Sequence, residues 1–395
     1  MRVPPNHTAG ACFPDDVALG YLRQQKAPPR LFLYDVTSSY LEGEHNELRA
    51  FGYNRDGKRG KLQIVIGLLT DEQAEPLAVR VFEGNSGDPT TVADQIKILQ
   101  EQFQVQELVF VGDRGMVKSK GMQALNQAQL HYITALTDPQ IRRLLGEGVL
   151  QLPLFSETIC EVEHQQLRYV LRKNEAEALR IQRRLEDKLE KLGAKIQTRN
   201  QKVQQQPLCK PEAGLQQLQQ WAQRHKLQPL IQLRLEGGQV MLERQQQAIA
   251  KHLELAGCYV ITTDVVSTEM DSQQVHDSYM ALQRVERDFR AIKTGALEVR
   301  PIFVQKASRT RGHVFCCMLA LKLVREMENR LRTAFGTTGD DPYAVTVPDA
   351  LASLSRLCLL NYPAAKSGEV VTKLPHPNDT QKKILNALKV SLPKM

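Results

Sequence analysis

The feature that most constrains this chain is a carboxylate set inside a strand-like run. Leu31-Phe-Leu-Tyr-Asp-Val-Thr-Ser-Ser-Tyr40 is apolar, aromatic and β-branched, the composition of a strand. Asp35 sits in its middle. An acid buried in a strand is costly unless it is paired, hydrogen-bonded or holding a metal. The alternative is that Asp35 stands at a strand end and caps the turn at Thr37-Ser38. A second run behaves alike: Glu107-Leu-Val-Phe-Val-Gly-Asp113 is apolar, ends in an acid and continues into Arg114-Gly115. Two strands that each deliver an acid to one edge of a sheet suggest a shared metal site.

The rest of the first third extends that sheet. Gln63-Ile-Val-Ile-Gly-Leu-Leu69 and Pro76-Leu-Ala-Val-Arg-Val-Phe82 read as two strands of an antiparallel hairpin. The turn residues Asn54 to Gly57 precede them. A helix is expected from Thr90 or Thr91 to about Phe103, and another near Gly121–Gln129. His131-Tyr-Ile-Thr-Ala-Leu-Thr137 is a fifth strand. The order β-β-β-α-β-α-β predicts an α/β fold, a mixed sheet with helices packed on it. Residues 1–30, with a short helix from Asp16 to Gln25, read as a remnant or linker, and 31–137 as the first part of the core.

From 138 the texture changes. Val149–Phe155 and Cys160–Leu171 alternate in polarity, as strands do. Asn174, with Glu177 after it, opens a long helix whose Leu185, Leu189, Leu192, Ile196 and Val203 recur at helical steps. That spacing predicts a hairpin arm or coiled-coil seam. Its Arg, Lys and Gln face reads as solvated. Gly237-Gly238 between two strand-like runs signals a hairpin. Trp221, the one tryptophan, is expected in a core, with stacking on an extruded base as the alternative. We therefore expect 138–256 to be an α+β insertion. The sheet domain resumes over 257–340, beginning with Cys258-Tyr-Val-Ile-Thr-Thr263, and 341–395 is a tail. Leu297–Phe303 reads as extended, and a long helix as running from His313 to about Phe335.

Lys and Arg number 52 against 44 Asp and Glu, a net charge of +8 that biases the chain toward polyanions such as nucleic acid. Its seven cysteines include no C-x-x-C pair, which argues a reducing compartment without a zinc site. No apolar run reaches the roughly 18 residues of a membrane span, and residues 1–30 lack the apolar core of a signal peptide. A cytoplasmic protein, associated with the nucleoid, is expected.

A third acid lies in a helix predicted to run from Asp271 through about Thr294. Val275, Leu282, Val285, Phe289 and Ile292 form its buried stripe. Tyr279, Glu286 and Lys293 are seven apart and so share one face beside that stripe. A surface pair between Glu286 and Arg290 is the plainer alternative. Glu298 is the fallback for the third acid.

Tyr34-Asp-Val-Thr-Ser-Ser-Tyr-Leu-Glu-Gly43, Gly52-Tyr-Asn-Arg-Asp56, Gln63–Leu69, Phe82-Glu-Gly-Asn85, Val111-Gly-Asp-Arg-Gly-Met116, Val285–Lys293 and Arg300-Pro301 together resemble bacterial insertion-sequence transposases of the DDE class. The likeness is to the branch whose catalytic core carries a large insertion before its last acid. It covers about residues 30–335. It implies a ribonuclease-H-like fold with a five-stranded mixed sheet, and a catalytic and metal-binding triad at Asp35, Asp113 and Glu286. It also implies Mg²⁺ or Mn²⁺, two ions, and DNA as partner, both element ends and target, with a homodimer assembled on that DNA.

The wider family carries Tyr-x2-Arg-x3-Glu-x6-Lys on the last helix. Tyr279, Glu286 and Lys293 match it, and Leu282 replaces the Arg. Tyr279 and Lys293 are therefore candidate DNA contacts, with Arg284 or Arg290 in place of the missing arginine and Arg114 beside the second acid. The family's usual N-terminal end-recognition segment is longer than residues 1–30. A shortened copy that binds DNA or mixes with full-length protomers without catalysis is accordingly the second reading.

Overall fold

In a computed structural model of the protein the apolar runs do become strands. The structure describes residues 29–58, 60–87, 91–92, 108–114, 122, 125, 127, 130–206, 210–294, 297–336, 344–363 and 370–393. In chain order the elements are β1 (Leu31–Tyr40), β2 (Gln63–Thr70), β3 (Pro76–Glu83), β4 (Val109–Gly112), β5 (His131–Ala135), α1 (Asp138–Gly146), β6 (Cys160–His164), β7 (Leu167–Lys173), α2 (Glu175–Gln205) and α3 (Pro211–Arg224). They continue with β8 (Ile231–Glu236), β9 (Gln239–Arg244), α4 (Gln246–Leu253), β10 (Cys258–Thr263), α5 (Ser272–Met280), α6 (Leu282–Lys293), α7 (Ala307–Phe335), α8 (Val347–Leu354), β11 (Leu360–Pro363), β12 (Val370–Lys373) and α9 (Asp379–Leu388). The helices expected at Asp16 to Gln25, from Thr90 or Thr91 to Phe103 and near Gly121–Gln129 fall largely outside the described residues.

The chain divides into two units, Met1–Val105 with Ala281–Met395, and Gln106–Met280. In the first, β1, β2 and β3 form an antiparallel run, with Asp35 opposite Leu68 and Leu68 opposite Val79. Every residue of β2 is buried, as a central strand covered on both faces requires. The helix α6 packs on β1 and α7 on β3. Val285, Phe289 and Ile292 form the buried stripe of α6, as its spacing predicts. A smaller apolar cluster joins Leu331 of α7, Val347 and Ala350 of α8, and Ile384 and Leu388 of α9.

In the second unit the strands run in the order β4-β5-β10-β7-β6. The β4–β5 pair is parallel and the other three pairs are antiparallel, so this is a mixed sheet. The sheet and the arm therefore do not part at residue 138. Strands β6 and β7, expected within the insertion, pair onward from β10 in the same sheet as β5. The segment that closes a core of its own is shorter. Leu185, Leu189, Leu192 and Ile196 of α2 pack with Leu218 and Ala222 of α3, Ile231 of β8 and Val240 of β9. Asn174 caps α2, accepting a hydrogen bond from the Glu177 amide at 3.0 Å. Gly237 and Gly238 both take positive φ, 56° and 78°, as the tight β8–β9 turn demands.

Two further expectations change. The helix foreseen from Asp271 to Thr294 is interrupted at Ala281, so Tyr279 belongs to α5 whereas Glu286 and Lys293 belong to α6. Leu297–Phe303 holds only a single bridge, Ile302 to Leu41, and α7 begins at Ala307, six residues before His313.

Candidate active site

In the first unit α6, which carries Glu286, packs on β1, which carries Asp35. Asp35 is half-buried, and its Oδ1 accepts a hydrogen bond from the Val36 amide at 2.8 Å. Glu286 is exposed on α6. The plainer alternative for it, a pair with Arg290, does not form: among the described residues neither side chain has an ion-pair partner.

Beside these acids lies a buried ionic cluster that reading the sequence missed. Asp56, in the turn after Gly52, has a side chain only 1% exposed. Its Oδ1 receives the Lys293 ammonium at 2.6 Å and the Arg300 guanidinium at 2.9 Å. Lys293 Nζ also reaches Thr37 Oγ1 at 2.5 Å, and Arg300 Nε donates to the Lys293 carbonyl at 3.2 Å. Among the described residues Asp56 Oδ2 has no hydrogen-bond partner. Thr37 is two residues from Asp35, on the same side of an extended strand. Lys293 is two helical turns from Glu286. The cluster thus ties the strand of one acid to the helix of the other. Burial pushes the Lys293 ammonium down from its ordinary pKa, and the bond to Asp56 holds it back.

The expected role of Lys293 is corrected accordingly. Its side chain is 10% exposed and its ammonium is bonded inward to Asp56 and Thr37, so it is not presented to a DNA phosphate. The signal that could have located Asp56 is chemical: an acid among Arg55, Lys58 and Arg59 that goes inside must take cations with it.

In the second unit Asp113 follows β4 and is exposed, as the end of an apolar run predicts. Its Oδ1 accepts from the Arg114 amide at 2.7 Å and from the Tyr279 hydroxyl at 3.2 Å. Tyr279 thus holds the second acid. Arg114 lines a cavity of about 460 Å³ with Thr134, Thr137, Gln140, Arg143, Tyr169 and Thr262.

The remaining candidates separate by face. Arg290 lies on the Glu286 side of α6 by helical position. Arg284 lies away from it and lines an arginine-rich cleft with Arg287, Arg325 and Arg332. Trp221 packs in the arm, its ring stacked on His225 at 3.7 Å, which favours the core reading over base stacking.

A resident metal would need hard oxygen donors, and the three acids supply that chemistry. Among the described residues, however, no group of three or more His, Cys, Asp or Glu side chains is gathered so as to hold an ion. No helix among them is long and apolar enough to cross a membrane.

The sequence profile of one family, described as the transposase DDE domain, matches residues 26–322. No curated protein matches the chain. Among solved structures, a piggyBac transposase synaptic complex with hairpin DNA is similar over 75% of this chain and 46% of its own, at 9% identity and a TM-score of 0.39. A Mos1 transposase paired-end complex with the left transposon end is similar over 33% of this chain and 46% of its own, at 11% identity and a TM-score of 0.20. The chain thus spans less than half the length of either, and likeness at those scores fixes nothing further.

Proposed function

Because this chain belongs to the family of transposase DDE domains, we propose that it cuts DNA at the ends of an insertion sequence and joins the 3′ ends to target DNA. Asp35, Asp113 and Glu286 are the proposed catalytic carboxylates, on a ribonuclease-H-like core. The observation that carries the reading is that the matched span, 26–322, contains all three acids, each beside an element the sequence predicts.

Divalent Mg²⁺ or Mn²⁺, when bound, supplies the activation of the attacking water or 3′-hydroxyl and the charge stabilisation on the leaving oxygen. The chain's own residues do the rest. Asp35, Asp113 and Glu286 offer oxygen donors of the kind such ions take. Tyr279, by its hydrogen bond, fixes the rotamer of Asp113. Asp56, Lys293 and Arg300 hold β1 and α6 together, so that Asp35 and Glu286 keep their separation. Arg290 and Arg114 remain the proposed phosphate contacts. DNA is the proposed partner, and a homodimer the proposed assembly.

The test is cleavage of end-labelled inverted-repeat DNA resolved on a gel. Asp113→Asn should bind that DNA as the parent does and give no product, because an amide is a poor ligand for a hard cation. Cleavage that persists in EDTA, or that Asp113→Asn leaves intact, ends the proposal.

A further inference from the structure

The loop that carries Asp56 also carries two exposed aromatic side chains. Phe51 is 68% exposed and Tyr53 81%. Single exposed apolar side chains are ordinary. Two aromatic rings within three residues, on a loop bonded down on its inner side, are not explained that way.

The bonds are dense. Ala50 and Gln63 exchange backbone hydrogen bonds at 3.3 and 3.1 Å. Gln63 Nε2 donates to the Tyr53 carbonyl at 3.1 Å and to the Gly84 carbonyl at 2.8 Å. Gly52, between the two rings, passes so close to Gly84 that an added Cβ would lie 2.1 Å from its carbonyl oxygen. The Arg55 amide donates to Ser38 Oγ of β1 at 2.8 Å, and Asp56 is sealed inside by Lys293 and Arg300. Disorder therefore does not account for the exposed rings. They are held out by a loop fixed on both sides of them.

The charges around the rings match one kind of ligand. The Arg55 guanidinium carbon lies 5.5 Å from the Tyr53 ring centre, and Lys58 Nζ lies 5.9 Å from that of Tyr40. Lys61 is paired with Glu42 at 3.1 Å, and Asp56, the loop's acid, is neutralised inside. What faces outward is aromatic, with the exposed Lys58 beside it. Flat apolar rings interleaved with cations are the surface on which unpaired bases stack while their phosphates meet the charges.

The geometry points to the loop 51–58 as a stacking platform for an unpaired nucleotide of a DNA strand, Tyr53 taking the base and Lys58 the adjoining phosphate. The platform rests on the reading that this chain handles DNA. It adds the kind of DNA: single-stranded or locally unpaired, beside the strand of Asp35.

The probe is a single-stranded 12-nucleotide oligo-dT with 2-aminopurine at its centre, titrated with the full chain in EDTA, against a duplex of equal length. The parent should change the 2-aminopurine emission on binding the single strand. Tyr53→Ala should weaken single-strand binding by about 5- to 100-fold and abolish the emission change, with the duplex affected less than about twofold. Tyr53→Trp keeps a ring and should keep both signals. Lys58→Gln should lower the salt dependence of single-strand binding by about 0.7 in log–log slope. Since Tyr53 is exposed, the thermal midpoint of each variant should equal the parent's, which separates lost contact from lost fold.

Equal loss on single strand and duplex, unchanged affinity in Tyr53→Ala, or a parent with no emission change would each overturn the platform. None of these outcomes involves cleavage. A failed platform leaves the Asp113→Asn test standing, and a failed cleavage test leaves the stacking result readable.

Discussion

The arm and the region around Asp56 bury opposite chemistries. In the arm, Leu185, Leu189, Leu192 and Ile196 close against Leu218, Ile231 and Val240, and the charges stay outside. Its ion pair Arg244–Glu186 is 40% and 46% exposed. Around Asp56 a carboxylate and the Lys293 ammonium go inside, with the partly exposed Arg300 over them, although an apolar cluster of similar volume would be no less stable. The arm is held by shape and area, which tolerate many substitutions. The Asp56 cluster is held by charges with fixed partners, which tolerate few. That difference is what a region needing a set geometry, rather than mere cohesion, would show.

Four measurements sharpen or break the contrast. The largest effect is expected at Asp56. Asp56→Ala leaves the buried Lys293 ammonium, and Arg300 over it, without their counter-charge and should cost about 3–5 kcal/mol in urea unfolding. A loss under 1 kcal/mol would mean that water compensates the cluster. Next comes the arm: Leu189 is 1% exposed, and Leu189→Ala should cost about 2–5 kcal/mol while leaving DNA cleavage by the folded protein unchanged.

A third effect depends on pH. Burial raises the Asp288 carboxyl to about 6 despite Arg325 at 2.7 Å. Its folded-state value thus exceeds its ordinary one, so between about pH 4 and 6 the folded state holds more proton than the unfolded. Asp288 should therefore lower stability as pH rises through that window, by at most about 1.4 kcal/mol per pH unit, and raise it as pH falls. Asp288→Asn should remove that slope from a series of unfolding curves; an unchanged slope would assign it elsewhere. The smallest effect belongs to the arm's surface. Glu186→Ala should change stability by less than about 1 kcal/mol, and less still at high salt.

How far the sequence disclosed this follows from the range of each interaction. Local patterns read well. The runs at 31–40, 63–70, 76–83, 109–112, 131–135 and 258–263 are strands, and Gly237-Gly238 turns a hairpin. Positions of Asp35, Asp113 and Glu286 on strand, strand end and helix followed from the same patterns.

What failed was long-range. Alternating polarity at 160–173 marks strands but does not say which sheet they join, and β7 joins β10. Lys293 stands on the helix face its spacing implies, yet its partner is Asp56, 237 residues away, and no periodicity records that. Ala281 interrupts a helix whose heptad spacing runs through it unbroken, because a turn with φ −62° and ψ −21° needs no special residue.

The central claim is that Glu286, exposed on α6, acts on DNA whereas the buried Asp56 holds α6 to β1. Single-turnover cleavage of end-labelled DNA by Glu286→Gln, beside an unfolding curve for the same variant, tests it most directly. Glu286 is exposed and without an ion-pair partner among the described residues, so stability should change by less than about 0.5 kcal/mol. Product should be undetectable in Mg²⁺, with DNA binding retained. A variant that cleaves at the parental rate, or that loses cleavage only because it has unfolded, would contradict the claim.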